Sequence, residues 1–127
     1  MKILLDTHAF IWFIMDDAKL SRAAKNMIES TPVVMISVAT AWEMAIKMKL
    51  GKLNISATFD QIFPYYLTIN HITVLPIELR HLSLVASLPL HHRDPFDRLM
   101  IAQSIVDHLP IVSRDSAFDA YGITRLW

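Results

Sequence analysis

Short unbroken apolar runs alternate along this chain with stretches in which apolar residues recur every three or four positions. The first run, Lys2 to Leu5, suits a strand and stops at Asp6, after which a helix is expected from near His8. Leu20, Ala23, Ala24, Met27 and Ile28 repeat at the spacing of one helix face, with Ser21 placed to cap it. Pro32 precedes Val33-Val34-Met35-Ile36, a continuous apolar run that reads as a buried strand ending at Ser37. Val38 to about Lys49 is helical in composition, and Gly51 stands where a C-terminal cap belongs. Phe59 to Asn70 is expected to form another helix, weakened or kinked by Pro64. A third strand, Thr73 to Leu75, stops at Pro76, and Glu78 to Leu88 reads as a helix. Asp94-Pro95, a cap followed by a first-turn proline, opens the clearest helix, which runs to Val106. Pro110 to Val112 is a fourth strand, Ser116 to Tyr121 a short helix and Ile123 to Leu126 a last strand.

Continuous apolar strands alternating with helices are the mark of a parallel sheet covered on both faces. The fold class is therefore α/β, one domain over residues 1–127. Ligands in such sheets bind beyond the carboxyl ends of the strands, which directs attention to the residues there. Composition narrows the chemistry. Hydrophobic residues make up 54% and charged residues 19%, which excludes disorder. Cysteine is absent, and with it thiolate zinc sites and thiol nucleophiles; two glycines cannot build a Walker or dinucleotide loop. Twelve basic residues balance twelve acidic ones, which argues against a simple basic nucleic-acid binder. No export signal and no uncharged run near the ~18 residues of a spanning helix is visible, so a cytoplasmic protein with no membrane partner is expected.

Four acids fall at predicted strand ends and helix starts. Asp6 closes the first strand, Glu43 lies in the helix after the second, Asp97 in the first turn after Asp94, and Asp115 just past the fourth strand. In a parallel sheet they share one edge, where they repel one another unless cations intervene. Mg²⁺ or Mn²⁺ suits such an oxygen-rich set, and a carboxylate cluster of this kind suits phosphodiester chemistry. Each acid also has a structural role open to it. Asp6 and Asp115 can cap the helices that follow, Glu43 can form a capping box with Thr40 or pair with Lys47, and Asp97 can serve the helix dipole.

The residues also resemble a known family. Leu4-Leu5-Asp6-Thr7-His8, Ala41-Trp42-Glu43-Met44-Ala45-Ile46-Lys47, His92-Arg93-Asp94-Pro95-Phe96-Asp97-Arg98 and Ser113-Arg114-Asp115 are similar, in this order and spacing, to PIN-domain ribonucleases of the VapC toxin type. The resemblance runs from end to end and includes Leu50-Gly51-Lys52-Leu53 and Arg125-Leu126-Trp127. It implies a three-layer α/β/α fold around a mainly parallel sheet of about five short strands. It also implies a metal-dependent endoribonuclease, the toxin of a bacterial toxin–antitoxin pair, that hydrolyses RNA with a metal-activated water and leaves 5′-phosphate and 3′-hydroxyl ends. The family's four acids fall on Asp6, Glu43, Asp97 and Asp115 as catalytic and metal-binding residues, with Asp119 a competitor for the fourth place and Asp94 a cap. Thr7 and Ser113 are expected to orient a carboxylate or a metal water. The alternative is a PIN-like module that binds RNA or protein without catalysis.

Other residues carry two readings each. His91-His92 could touch RNA, although a loop pair packed beside Pro89 is the plainer expectation; His8 could face the site or merely start a helix. Arg93, Arg98 and Arg114 could grip phosphates or pair with the neighbouring acids. Lys47, Lys49 and Lys52 form a solvated basic run or a track for RNA, and Trp12 with Phe10 and Phe13 reads as packing rather than as a stacking platform. A mean hydropathy of +0.37 implies apolar surface covered by partners, for which a homodimer and a bound antitoxin are the candidates.

Overall fold

The computed structural model describes Met1–Trp127. Its strands are β1 (Lys2–Leu5), β2 (Val33–Ser37), β3 (Ile72–Leu75), β4 (Ile111–Val112) and β5 (Arg125–Leu126). All neighbours are parallel, in the order β3-β2-β1-β4-β5. The helices are α1 (Thr7–Ile14), α2 (Arg22–Ser30), α3 (Val38–Lys49), α4 (Leu67–Ile69), α5 (Leu79–Ser87) and α6 (Pro95–Asp107). None is long and apolar enough to cross a membrane.

Strand alternation divides the core into two layers. Ile3 and Leu5 of β1 face one side, where Val34, Ile36 and Ile72 meet Phe10 and Ile11 of α1 and Ala24 and Ile28 of α2. Leu4 faces the other, against Leu99, Met100 and Ile101 of α6, Leu88 and Phe118. Both faces of the central strand are buried, which is why its sequence is a continuous apolar run and not an alternating one. The result is the three-layer α/β/α arrangement with five short strands.

Three expectations need correction. The helix over Phe59 to Asn70 does not form as one piece. Phe63 sits at φ −117°, ψ 109°, the extended geometry that a following proline imposes, between loose turns at Gln61–Tyr66 and the single turn α4. The last strand shortens to Arg125–Leu126, because Gly122 at φ 71° ends the preceding 3-10 turn (Ser116–Tyr121) in a left-handed cap. Nor does Thr40 build a capping box with Glu43. Ser37 takes the cap, its Oγ accepting from the Ala39 N–H at 3.0 Å, and this leaves the Thr40 hydroxyl to bond that of Thr7 at 3.1 Å.

The chain moves outward from β1 to β2 and β3, then returns to place β4 on the far side of β1. Asp6 N–H donates to the Val112 carbonyl at 3.1 Å, so the ends of β1 and β4 are joined right up to the crevice beyond them. That reversal of strand order is where α/β sheets bind ligands.

Candidate metal centre at the strand ends

Each acid is set by the element it begins or ends. Asp6 leaves β1 and caps α1, its Oδ1 accepting from the Ala9 N–H at 2.8 Å. Burial pushes its carboxyl above the ordinary range, and the Ser113 hydroxyl, the Ala9 N–H and the His8 charge pull it back only in part. Glu43 lies on the inward side of α3, 4% exposed. Lys47 Nζ stands 2.6 Å from its Oε2, the ion pair foreseen from the i, i+4 spacing, while its Oε1 is buried with no partner at all. Asp97 follows the cap Asp94, whose Oδ1 accepts from the Asp97 N–H at 2.9 Å. Its own carboxyl is pushed up to about 7, first by burial, then by the charge of Asp94, with Asp6 and Glu43 adding and His92 opposing. Asp115 is the most exposed of the four. Burial acts upward on it, but the Ala117 N–H, His92 and Arg125 outweigh that and hold it below the ordinary range.

The sequence-predicted acids therefore share one electrostatic neighbourhood. Asp97 feels Asp6 and Glu43, and Asp6 feels Asp115. Asp119 is elsewhere, gripped by Arg125 through two bonds of 2.8 and 3.1 Å. Ser113 Oγ accepts from the Asp115 N–H at 3.0 Å and faces the Asp6 carboxyl, so one hydroxyl links the backbone of Asp115 to the side chain of Asp6. Thr7 acts further back, locking α1 to α3 through Thr40.

His92, read from sequence as loop packing, belongs to the cluster. Its Nε2 lies 3.1 Å from Asp97 Oδ2 and 3.1 Å from Asp115 Oδ2, and the three ligand atoms sit within 4.8 Å of one another. Nδ1 accepts from the Asp94 N–H at 3.2 Å, which assigns the proton of the neutral ring to Nε2. In that tautomer the ring offers the acids a donor and no lone pair: His92 bridges carboxylates and does not ligate. The signal was present in His92-Arg93-Asp94-Pro95, since a capping aspartate's own N–H needs an acceptor and a histidine two residues back supplies one.

The arginines separate cleanly. Arg98 neither pairs with an acid nor faces outward; its two terminal nitrogens reach the carbonyls of Val85, Leu88, Pro89 and His92 at 2.9 to 3.3 Å. Arg114 lies 4.7 Å over the Trp12 ring, beside Asp6 and Asp115. Arg93 is exposed. Of the lysine run only Lys47 reaches the cluster, through Glu43.

One imidazole thus stands against Asp97 and Asp115, while a buried oxygen of Glu43 has nothing to bond. A hard divalent cation with oxygen ligands would supply both missing terms, charge and a bonding partner, and carboxylate oxygens such as those of Glu43, Asp97 and Asp115 are the donors Mg²⁺ and Mn²⁺ take.

The PIN domain model matches residues 3–123, and the chain belongs to the PIN domain family. PIN domains are in general nucleases that use divalent metal ions. Among curated proteins, no sequence matches the chain. The fold is similar to that of VapBC2 from Rickettsia felis bound to a DNA fragment from their promoter, with TM-score 0.72, 12% identity and 99% and 98% of the two chains covered. It is also similar to FitAcB from Neisseria gonorrhoeae (TM-score 0.70, 17% identity, 98% and 96% covered). A toxin–antitoxin complex from Klebsiella pneumoniae gives TM-score 0.61 at 19% identity, with 91% and 88% covered. At these identities the likeness is one of fold.

Proposed function

We propose that this chain is the toxin of a type II toxin–antitoxin pair, a cytoplasmic Mg²⁺- or Mn²⁺-dependent endoribonuclease. The reading is carried by the buried, under-neutralised acids at the β1/β4 crevice of a PIN domain. Asp6, Glu43 and Asp97 would hold the ion, with Asp115 direct or through water. When bound, such an ion supplies positive charge toward a phosphodiester and acidity toward a water. The chain's own residues do the rest. The Asp6 carboxylate is held by its helix cap, the Asp94 side chain holds the backbone N–H of Asp97, Ser113 holds the backbone N–H of Asp115 beside Asp6, and Lys47 takes one oxygen of Glu43 and leaves the other without a partner. His92 keeps a proton at Nε2 between Asp97 and Asp115, which limits their repulsion before any ion arrives.

Partners follow from the same reading. The solved complexes with this fold pair a toxin with an antitoxin, and an antitoxin is the expected partner here. Val38, Trp42, Ile46 and Leu50 form an exposed apolar stripe along α3, one turn apart, which supports a homodimer. Light scattering is expected to give twice the 14.5 kDa protomer mass at micromolar concentration, and a persistent monomer counts against it.

The test of the enzyme is cleavage of RNA in Mg²⁺ or Mn²⁺ by the wild type and by Asp6→Asn, in which the cap is retained. Cleavage with 5′-phosphate products by the wild type alone is expected. Equal cleavage by both would remove the catalytic assignment and leave a binding module.

A further inference from the structure

A cleft of about 550 Å³ opens beside the acids, lined by Asp6, His8, Trp12, Lys19, Arg114 and Asp115. Its two cations are unpaired, since neither Lys19 nor Arg114 takes part in any ion pair of the molecule. For Arg114 this needs a cause, because Asp115 is its neighbour in sequence and both face the same cleft. Asp115 is turned away, accepting from the Ala117 N–H at 2.9 Å and from His92 Nε2 at 3.1 Å. Arg114 instead lies over the Trp12 ring, its guanidinium carbon 4.7 Å from the ring centre. Trp12 is itself buried, 8% exposed and set edge-on against Trp127 at 5.9 Å, with His8 tilted against it at 5.6 Å.

An exposed guanidinium seated on a buried indole has lost most of its freedom, while its fork of donors stays open to the cleft. A planar, preorganised fork matches phosphate in two-point contact. With Lys19 on the rim, the cleft sets cations immediately next to acids that would hold a metal ion. An extended polyanion crossing the crevice meets that ion at one phosphate and Arg114 at another. The volume lies within the ~300–1,000 Å³ of ordinary small-ligand pockets, room for one or two nucleotides and not for a duplex.

We propose that Arg114, seated on Trp12, and Lys19 grip the backbone phosphate next to the scissile one in a single-stranded RNA. The assignment rests on the nuclease reading above and extends it to a substrate-binding subsite. Trp12 is a positioning residue that acts through Arg114.

The test is fluorescence anisotropy of a labelled twelve-nucleotide, mixed-sequence single-stranded RNA on Asp6→Asn protein in Mg²⁺, with and without a second substitution. Arg114→Ala is expected to weaken binding by about tenfold and to flatten the log–log salt dependence by ~0.7, the value of one phosphate contact on a single strand. Arg114→Lys should keep the salt slope but lose part of the affinity, and Trp12→Leu, which keeps the apolar bulk, should fall between. In otherwise wild-type protein, Arg114→Ala should raise KM with kcat nearly unchanged, because a flanking phosphate is held equally before and during reaction. Unchanged affinity and slope in Arg114→Ala overturn the subsite, as does a fall in kcat at constant KM, which would put Arg114 on the reacting phosphate. Equal binding of a duplex of the same sequence overturns the single-strand assignment. The two readings fail separately. RNA bound through Arg114 but never cut by the wild type defeats the nuclease and keeps the grip; RNA cut equally well without Arg114 defeats only the grip.

Discussion

Two histidines in this molecule make the same pair of bonds and have opposite surroundings. His81, fully buried in the first turn of α5, accepts from the Glu78 N–H through Nδ1 at 3.0 Å and meets Asp107 through Nε2 at 2.7 Å. His92 accepts from the Asp94 N–H through Nδ1 and turns Nε2 to carboxylates in the same way. The difference is in the count of acids. Asp107 alone faces His81 and also has Arg80; burial acts upward on it, but these two outweigh it and hold its carboxyl below the ordinary range. Asp97 shares His92 with Asp115 and feels Asp6, Glu43 and Asp94 besides, so its carboxyl rises to about 7. The first arrangement is closed and serves packing between α5 and α6. The second is short of positive charge, which is the physical content of a cation site.

The comparison breaks most visibly at Asp97. Asp97→Asn should lower RNA cleavage beyond about a hundredfold, since even groups that merely orient metal ligands cost about 10–100-fold. The same substitution should leave the metal-free protein as stable as the wild type or more so, read as Tm in EDTA, because it relieves repulsion. The mirror experiment is His81→Ala, expected to cost about 1–3 kcal/mol in chemical denaturation as the Glu78 N–H and Asp107 lose their partner. Cleavage per folded molecule should be unchanged; a large loss there would mean that the two histidines are not separable.

pH separates the regions by window. In EDTA, Asp97 keeps its proton in the fold up to about pH 7 but sheds it near pH 4 when unfolded, so its stabilisation is complete at low pH and lost as pH rises through 7. Tm should therefore fall between about pH 4 and 7 more steeply in the wild type than in Asp97→Asn, and saturating Mg²⁺ should flatten the difference. Asp107 has the reverse sign: its folded pKa is lowered, so its contribution stands above the ordinary carboxylate range and is lost as pH falls below it. The smallest effect belongs to Arg80→Gln. Its head group is half exposed, and Tm should move by no more than about 2 °C if His81 alone suffices to balance Asp107.

Sequence made the four acids legible because each stands at a junction that local rules mark. Asp6 ends an apolar run, Asp94-Pro95 announces the helix that presents Asp97, and Asp115 follows a strand that turn chemistry ends. Glu43 was legible as the partner of Lys47 by spacing alone. What escaped was set by tertiary competition. Thr40 lost its capping role to Ser37 one turn earlier, and Pro64 acted through Phe63 to break a helix that hydrophobic spacing favoured. His92 and Arg98 escaped because their partners lie across the loop before α6 and across the cleft, in places periodicity does not address.

Arg98 has a consequence for how the site comes into being. From inside α6 it holds four carbonyls between Val85 and His92, while the Tyr121 hydroxyl accepts from the His92 N–H at 2.8 Å and donates to Pro89 at 2.8 Å. The loop carrying His92, the helix carrying Asp97 and the turn after Asp115 are tied into one unit. Such a unit opens cooperatively, and its amides should exchange with solvent together rather than in sequence. On the proposed nuclease reading, competence at this site would then belong to a molecule wholly or not at all. Warming the protein toward its transition would, on that reading, thin the population of active copies without blunting the ones that remain.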